Sequence, residues 1–183
     1  MCKDEAWDTH LVRLILKPGK GGQKLADFRP IAVLPVIYKW YSRCLLELAK
    51  DDLANIDTVQ HAFRPKRQAH EVISCLRNVV EKCLEWKEIT CCILDCDISK
   101  AYDFTDHREV VRSCRKAGTP IILIAAWLRE WQRMRSVMVL DDKTRSASLK
   151  RTRSLPQGDP AAPTTFNTTL DQTIRHFINI CKR

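Results

Sequence analysis

Apolar residues recur along this chain at spacings that predict helices joined by short strands. The clearest pattern runs from residue 69 to 86, where apolar side chains fall on one side of an amphipathic helix. Residues 36–49 show a similar spacing. Three further helices are predicted. One runs from Asp106, its N-cap, to Gly118, and the next from Pro120, its first helical position, to about Arg133. The last runs from about Pro163 to Ile180.

Runs of β-branched and apolar residues predict strands between these helices. Residues 11–17 form one short run, followed by a turn rich in glycine and proline, and Arg29-Pro30 is extended by the proline rule. Residues 89–98 form a continuous apolar run that predicts a strand covered on both faces. A hairpin is predicted over residues 137–155. Helices and strands alternate irregularly, which indicates an α+β fold.

Composition narrows the class of protein. The chain has 183 residues, enough for one domain, and a net charge of +9. Its cations recur in clusters within 17–29, 64–67, 129–135 and 150–153, a pattern that fits either a polyanionic partner or a solubilising surface. No apolar run is long enough to span a bilayer. An intracellular location, nuclear or cytoplasmic and without a secretion or membrane signal, is therefore expected.

Nine cysteines, an odd number without a signal peptide, indicate buried free thiols in a reducing compartment rather than disulfides. Zinc bound by Cys91, Cys92 and Cys96 is a weaker alternative, because no paired Cys-x-x-Cys spacing accompanies them.

The segment "CILDCDISKAYDFTDH", residues 92–107, concentrates candidate chemistry. Asp97 closes the predicted strand, and a carboxylate at a strand end is a common ligand of Mg²⁺. Asp95 lies two residues earlier, whereas Asp103 and Asp106 follow, and helix capping is the favoured role for Asp106. One such aspartate does not make a metal site without a second acid.

Four segments in order resemble the blocks of reverse transcriptases, specifically those of non-LTR (LINE-type) retrotransposons. "CDISKAYDFTDH" is similar to their first catalytic motif, and "LPQGDPAAPTTFNTTLD" to the second palm motif. "LILKPGKGGQKLADFRPIAV" and "QHAFRPKRQAHE" resemble the preceding fingers blocks. Ser154 and Lys66 stand where the family often has glycine.

The resemblance implies roles for individual residues. Asp97, with the backbone carbonyl of Ile98, is implied as a ligand of Mg²⁺ (or Mn²⁺) in two-metal catalysis. The ring of Tyr102 is implied to exclude a ribose 2′-hydroxyl and so to select deoxynucleotides, with a role in core packing as the alternative. Lys17, Lys20 and Arg29 are implied to bind the triphosphate, and Gln157 and Gly158 are implied to contact the template or the nucleotide. Arg64 and Arg67 are implied to contact the template backbone, with solvated surface positions as the alternative.

The implied architecture is the fingers and a partial palm of a right-hand polymerase. Residues 1–88 correspond to fingers, 89–107 to the palm with the first catalytic motif, 108–152 to a fingers–palm connection, and 153–183 to the palm with the second motif. The implied partners are an RNA template, a DNA primer and dNTPs, with no membrane.

The family's third palm motif, an aromatic-x-Asp-Asp hairpin, has no match before Arg183. The only acid after Gln157 besides Asp159 is Asp171, inside the predicted final helix. The chain is therefore expected to be an RNA-directed DNA polymerase fragment that does not polymerise alone. The alternative is a non-catalytic remnant that binds nucleic acid.

Overall fold

The computed structural model describes residues 7–87, 90–139, 144–150 and 153–182. These residues form a mixed α+β fold. Its strands are β1 (Thr9–Leu16), β2 (Phe28–Val33), β3 (Arg135–Val139) and β4 (Leu149–Lys150). Its helices are α1 (Val36–Leu48), α2 (Lys50–Leu53), α3 (Ala69–Trp86), α4 (Ala101–Phe104), α5 (His107–Ala117), α6 (Ile121–Arg133) and α7 (Ala162–Cys181).

The four described strands make one sheet in the order β2-β1-β3-β4. β1 pairs with β2 in antiparallel and with β3 in parallel orientation, and β4 is antiparallel to β3. Val12 lies opposite Ala32 and both are buried, whereas Arg13 lies opposite Ile31 and both are exposed. One face of the sheet therefore covers the core while the other faces solvent, as the alternation of side chains along a strand requires.

The main core cluster is formed by residues of α1, α2, α5 and α6, together with the segment that leads into α7. Trp127 and Trp131 are stacked on α6 with ring centroids 6.5 Å apart, and both are buried. Tyr38 from α1 and Val110 from α5 pack into the same cluster. This cluster fixes the relative positions of the segments that carry the candidate site.

The structure confirms most of the helices predicted from spacing and caps. Asp106 caps α5, because its carboxylate accepts a hydrogen bond from the backbone amide of Arg108 at 2.8 Å. Gly118 ends the same helix with a φ of +101°. α1, α3 and α7 lie within about two residues of their predicted bounds. Pro120 is the N-cap of α6 and not its first residue.

The predicted hairpin is confirmed in its described part. The amide of Ser146 donates to the carbonyl of Met138 at 2.9 Å, and β4 pairs with the start of β3. The intervening residues 140–143 lie outside the described residues.

The strand predicted over residues 89–98 is wrong. Residues 90–98 have no regular secondary structure and all of them are exposed, while Ile89 lies outside the described residues. A strand needs a neighbour to accept and donate its backbone hydrogen bonds, and the described sheet does not include this segment. Asp97 therefore lies in an exposed irregular segment and not at the tip of a rigid strand.

Helix α3 has the predicted bounds, but its apolar side is exposed. Ile73 is 64% exposed and Leu84 is 72% exposed, and no residue of the helix is buried. Most of the described cysteines are exposed, among them Cys75 on this helix, so the expectation of buried thiols is wrong for them. Cys114 on α5 is the buried free thiol among the described residues, and burial raises its pKa to about 12.

Candidate functional site

The two segments with the strongest candidate chemistry lie side by side. The backbone amide of Leu155 donates to the carbonyl of Tyr102 at 2.9 Å, and the amide of Ser154 donates to the carbonyl of Thr105 at 3.2 Å. The ring nitrogen Nε2 of His107 lies 2.8 Å from the carbonyl oxygen of Ser154. These contacts join α4 and the start of α5 to the turn that precedes α7.

Tyr102 is half-buried at this junction. Its ring packs against Phe166 of α7 with centroids 5.4 Å apart, and burial raises the pKa of its phenol. The phenol therefore stays neutral near pH 7. The ring packs against the core, and the side chain remains partly exposed.

Gly158 lies in the turn before α7 and brings that turn against the sheet. It has a φ of +99°, and a Cβ placed on it would lie 2.9 Å from the carbonyl oxygen of Ala32 in β2. Such a separation excludes every side chain, and the positive φ also favours glycine. Gln157, the half-buried residue before Gly158, therefore lies next to β2. It is two residues after Leu155, whose amide donates to the carbonyl of Tyr102.

The three basic candidates lie near one end of the β1–β2 pair. Arg29 lies opposite Ile15 and is exposed, on the sheet face opposite to that of Ala32. Lys20 is exposed in the turn after β1. The Nζ of Lys17 donates to the carbonyl of Ala26 at 2.8 Å, so Lys17 also holds this turn closed.

A buried aspartate anchors the turn that carries Gln157 and Gly158. Asp159 is 2% exposed, and its Oδ2 accepts hydrogen bonds from the hydroxyl of Tyr38 at 2.5 Å and from Nε1 of Trp131 at 2.6 Å. Its Oδ1 accepts from the hydroxyl of Ser42 at 2.5 Å and from the amide of Ala161 at 2.9 Å. One carboxylate thus ties the turn to both α1 and α6.

The sequence does not reveal these partners of Asp159. Its side-chain donors lie 121, 117 and 28 residues away in the chain, so no local pattern could identify them. Burial, together with the Asp159 carboxylate, raises the pKa of Tyr38, which keeps that phenol a hydrogen-bond donor.

The predicted metal ligands are not brought into a metal site. Asp97 and the neighbouring Asp95 are both exposed in the irregular segment 90–98. No group of three or more His, Cys, Asp or Glu side chains among the residues that the structure describes is arranged to hold a metal ion. The carboxylates described in this chain therefore do not by themselves fit a two-metal centre.

Arg64 and Arg67 lie in the loop before α3 and have intramolecular contacts. The Nη1 of Arg64 donates to the carbonyls of Asp57 at 3.0 Å and Gln60 at 3.2 Å. Arg67 pairs with Glu71 at 3.4 Å, and the two side chains are 39% and 34% exposed. Arg64 therefore stabilises its own loop, whereas Arg67 is more accessible to a ligand.

Asp171 joins that loop to α7. Its Oδ1 accepts from the amide of Asp57 at 2.7 Å and from Nε2 of Gln60 at 2.8 Å, and its Oδ2 accepts from Nε of Arg175 at 2.5 Å. Burial alone would raise the pKa of Asp171, but the hydrogen bonds from Asp57, Arg175 and Gln60 outweigh it and lower the pKa. Asp171 is thus a structural anion in the interior.

Replacing Asp171 with asparagine is expected to destabilise the fold in a pH-dependent manner. Because the folded pKa lies below the unfolded value, the carboxylate contributes stability above the unfolded pKa and loses it as the pH falls through the folded pKa. Urea midpoints of the two proteins should therefore differ most near neutral pH and converge below about pH 4. The exposed Asp51→Asn variant is the control. A difference between wild type and Asp171→Asn that does not change with pH would contradict this assignment.

Comparisons with known proteins identify the family to which this chain is similar. The family described as "Reverse transcriptase (RNA-dependent DNA polymerase)" matches residues 15–182. The chain is 26% identical over 177 residues to a Nasonia vitripennis Pol polyprotein from the type-1 retrotransposable element R2. The matched residues are 95% of this chain and 16% of that protein. It is also 26% identical over 167 residues to the RNA-directed DNA polymerase from mobile element jockey of Drosophila funebris, covering 89% of this chain and 18% of that protein.

A solved structure shares the fold. Apo telomerase from Candida tropicalis superposes with a TM-score of 0.65 and 11% sequence identity, over 98% of this chain and 41% of that chain. The chain spans less than a fifth of the length of the two retroelement proteins above. In the ranges that the structure describes, every helix is too short or too polar to cross a membrane.

Proposed function

This chain belongs to the reverse transcriptase family of RNA-dependent DNA polymerases, and from that membership we propose that it supplies the nucleotide- and template-facing surface of a non-LTR retroelement polymerase. In this proposal residues 1–88 are fingers, 89–107 carry the first palm motif, 108–152 connect fingers and palm, and 153–183 carry the second palm motif. The intact parent adds dNTPs to a DNA primer on an RNA template.

The contact between the Tyr102 segment and the Gln157–Gly158 turn is the observation that supports this proposal most. Two contacts support it: the amide of Leu155 donates to the carbonyl of Tyr102, and Gly158 closely approaches Ala32 of β2. A half-buried aromatic ring next to a glycine turn suits a nucleotide sugar and base. We propose that Tyr102 excludes a 2′-hydroxyl there and that Gln157 meets the template or the incoming base.

Arg29 and Lys20 are the basic residues proposed to bind the triphosphate. Both are exposed near one end of the β1–β2 pair, and the guanidinium of Arg29 offers a planar fork of donors to phosphate oxygens. Lys17 contributes charge at the same place while it holds the turn closed. Arg67, more accessible than Arg64, is the better candidate for template backbone.

Polymerases of this family use divalent metal ions, and the role proposed for Asp97 is to bind Mg²⁺ in the intact parent, with the Ile98 carbonyl nearby. The described carboxylates do not form the necessary cluster. One exposed aspartate binds such an ion weakly and without fixed geometry. We therefore propose that this chain binds the substrates of a reverse transcriptase but does not extend a primer alone.

Replacing Arg29 with glutamine is expected to weaken the binding of a deoxynucleoside triphosphate about tenfold, since a charge-assisted hydrogen bond contributes about 1.5–3 kcal/mol. The measurement is the anisotropy of a fluorescent dNTP titrated with the purified chain in a chelating buffer. Arg77→Gln is the matched control, because Arg77 is exposed on α3 and pairs with Glu81 at 2.7 Å. Equal affinities of Arg29→Gln and wild type would contradict the role of Arg29.

A further inference from the structure

Helix α5 presents a row of cations on its exposed side. Arg108, Arg112 and Arg115 follow one another at intervals of four and three residues, so they lie within about 60° of the helix circumference. All three are exposed, as is Lys116. We call Arg108, Arg112, Arg115 and Lys116 the α5 basic stripe.

The core fixes the direction of the α5 basic stripe. His107, Val110, Ser113 and Cys114 are buried on the opposite side of the helix. The three arginines and Lys116, together with Val111, line an open groove of about 470 Å³. The stripe is therefore a rigid surface on a packed helix and not a mobile tail.

Ion pairs leave most of this charge available. Arg112 pairs with Glu109 at 3.2 Å, with both side chains more than half exposed, and such surface pairs contribute little and are readily exchanged. Lys116 donates to the neutral amide oxygen of Gln172 at 2.5 Å. Within the described ranges, neither Arg108 nor Arg115 forms an ion pair with a carboxylate.

Helix stability does not account for the whole stripe. Arg115 and Lys116 lie in the last turn of α5, where cations favour the helix dipole. Arg108 lies in the first turn, where a cation opposes the dipole by a few tenths of a kcal/mol. A cation at that end, in line with two others, fits a ligand that carries repeated negative charge.

We propose that the α5 basic stripe binds the phosphate backbone of a single RNA strand. Arg108 and Arg115 are about 10.5 Å apart along the helix axis, so the row is long enough to contact several successive phosphates of one strand. A linear row of cations matches a linear polyanion better than it matches a single phosphate group. The stripe lies on a different element from Arg29, Tyr102 and Gln157, so this surface is additional to the proposed nucleotide site.

The test is binding of a fluorescent 20-nucleotide single-stranded RNA to the purified chain, measured by anisotropy over a series of salt concentrations. The variants are Arg108→Gln/Arg115→Gln and the control Arg77→Gln/Lys82→Gln, which removes the same charge from exposed, ion-paired positions on α3. Arg108→Lys/Arg115→Lys keeps the charge on α5. Circular dichroism establishes that each variant is folded.

The stripe variant should bind RNA about tenfold more weakly at low salt, and its slope of log affinity against log salt should be shallower by about 1.4. The lysine variant should keep the wild-type slope, and the α3 variant should stay close to wild type. An unchanged slope in the glutamine variant, or an equal loss in the α3 control, would overturn the proposal. Binding of the fluorescent dNTP by the stripe variant should be unchanged, which separates this result from a failure of the nucleotide site.

Discussion

Replacing Asp159 with alanine is expected to lower the free energy of unfolding by about 3–5 kcal/mol, the largest loss of stability of any substitution considered for this chain. The substitution removes the acceptor for three buried side-chain donors, from Tyr38, Ser42 and Trp131. Each donor would then lie in the interior without a partner, at a cost of about 1–3 kcal/mol. Because a domain is stable by only about 5–15 kcal/mol, a large part of that stability would be lost.

Urea unfolding followed by tryptophan fluorescence measures this loss, since Trp131 is itself one of the donors. The midpoint should fall by about 1–2 M at an unchanged slope. Asp97→Ala, which removes an exposed aspartate, is the matched control and should stay within about 0.5 kcal/mol of wild type.

A second pair of variants keeps the test informative if Asp159→Ala does not fold. Tyr38→Phe and Ser42→Ala each remove one donor and leave the carboxylate in place, so each should lose only about 1–2 kcal/mol. If the Asp159→Ala protein unfolds at the same urea concentration as Asp97→Ala, the three hydrogen bonds do not hold the turn as described.

The network around Asp159 also illustrates what local sequence patterns leave out. Periodicity and capping residues predicted α1, α3, α5 and α7, because those signals lie within a few residues of each helix. The bonds from Tyr38 and Ser42 to Asp159 cross more than a hundred residues. They depend on how α1 packs against the turn that precedes α7, which no local pattern encodes.

The failure at residues 89–98 has a related cause. Apolar and β-branched composition predicts that a segment suits a strand, but a strand also requires a partner along its edge. The described sheet leaves residues 90–98 unpaired and exposed. The pattern on α3 was interpreted correctly as a helix, yet its apolar side likewise has no cover among the described residues.

Two departures from the family pattern acquire a physical meaning in the structure. Ser154 has a φ of +92° and Lys66 a φ of +62°, both in the left-handed region that glycine adopts without strain. The family often has glycine at both positions. The backbone at both positions has the conformation that glycine favours, and the carbonyl of Ser154 lies 2.8 Å from Nε2 of His107.

The purified chain is expected to incorporate no dNTPs into a DNA primer annealed to an RNA template, even with Mg²⁺ present. Two-metal catalysis needs several carboxylates at fixed separations, and the described carboxylates include no such group. The surface formed by Tyr102, Gln157 and β2 orients substrates in our proposal, but orientation does not replace the ligands of the metal ions. The effect is all or none, in contrast to the graded losses expected from the binding variants.

Asp97→Ala is the matched control for this expectation, because it removes the carboxylate assigned to the metal and leaves the fold unchanged. Binding of the annealed RNA–DNA substrate at low salt is followed on the same preparation. A chain that binds the hybrid is a competent substrate-binding fragment, whether its ancestry is a catalytic parent or a remnant without activity.

Primer extension by wild type and Asp97→Ala, run side by side with equal substrate, is the decisive comparison. We predict that both proteins bind the hybrid and that neither lengthens the primer. If the wild type lengthens the primer and Asp97→Ala does not, this chain alone assembles a working metal centre. That result would contradict the proposal that the chain binds the substrates but does not extend a primer alone.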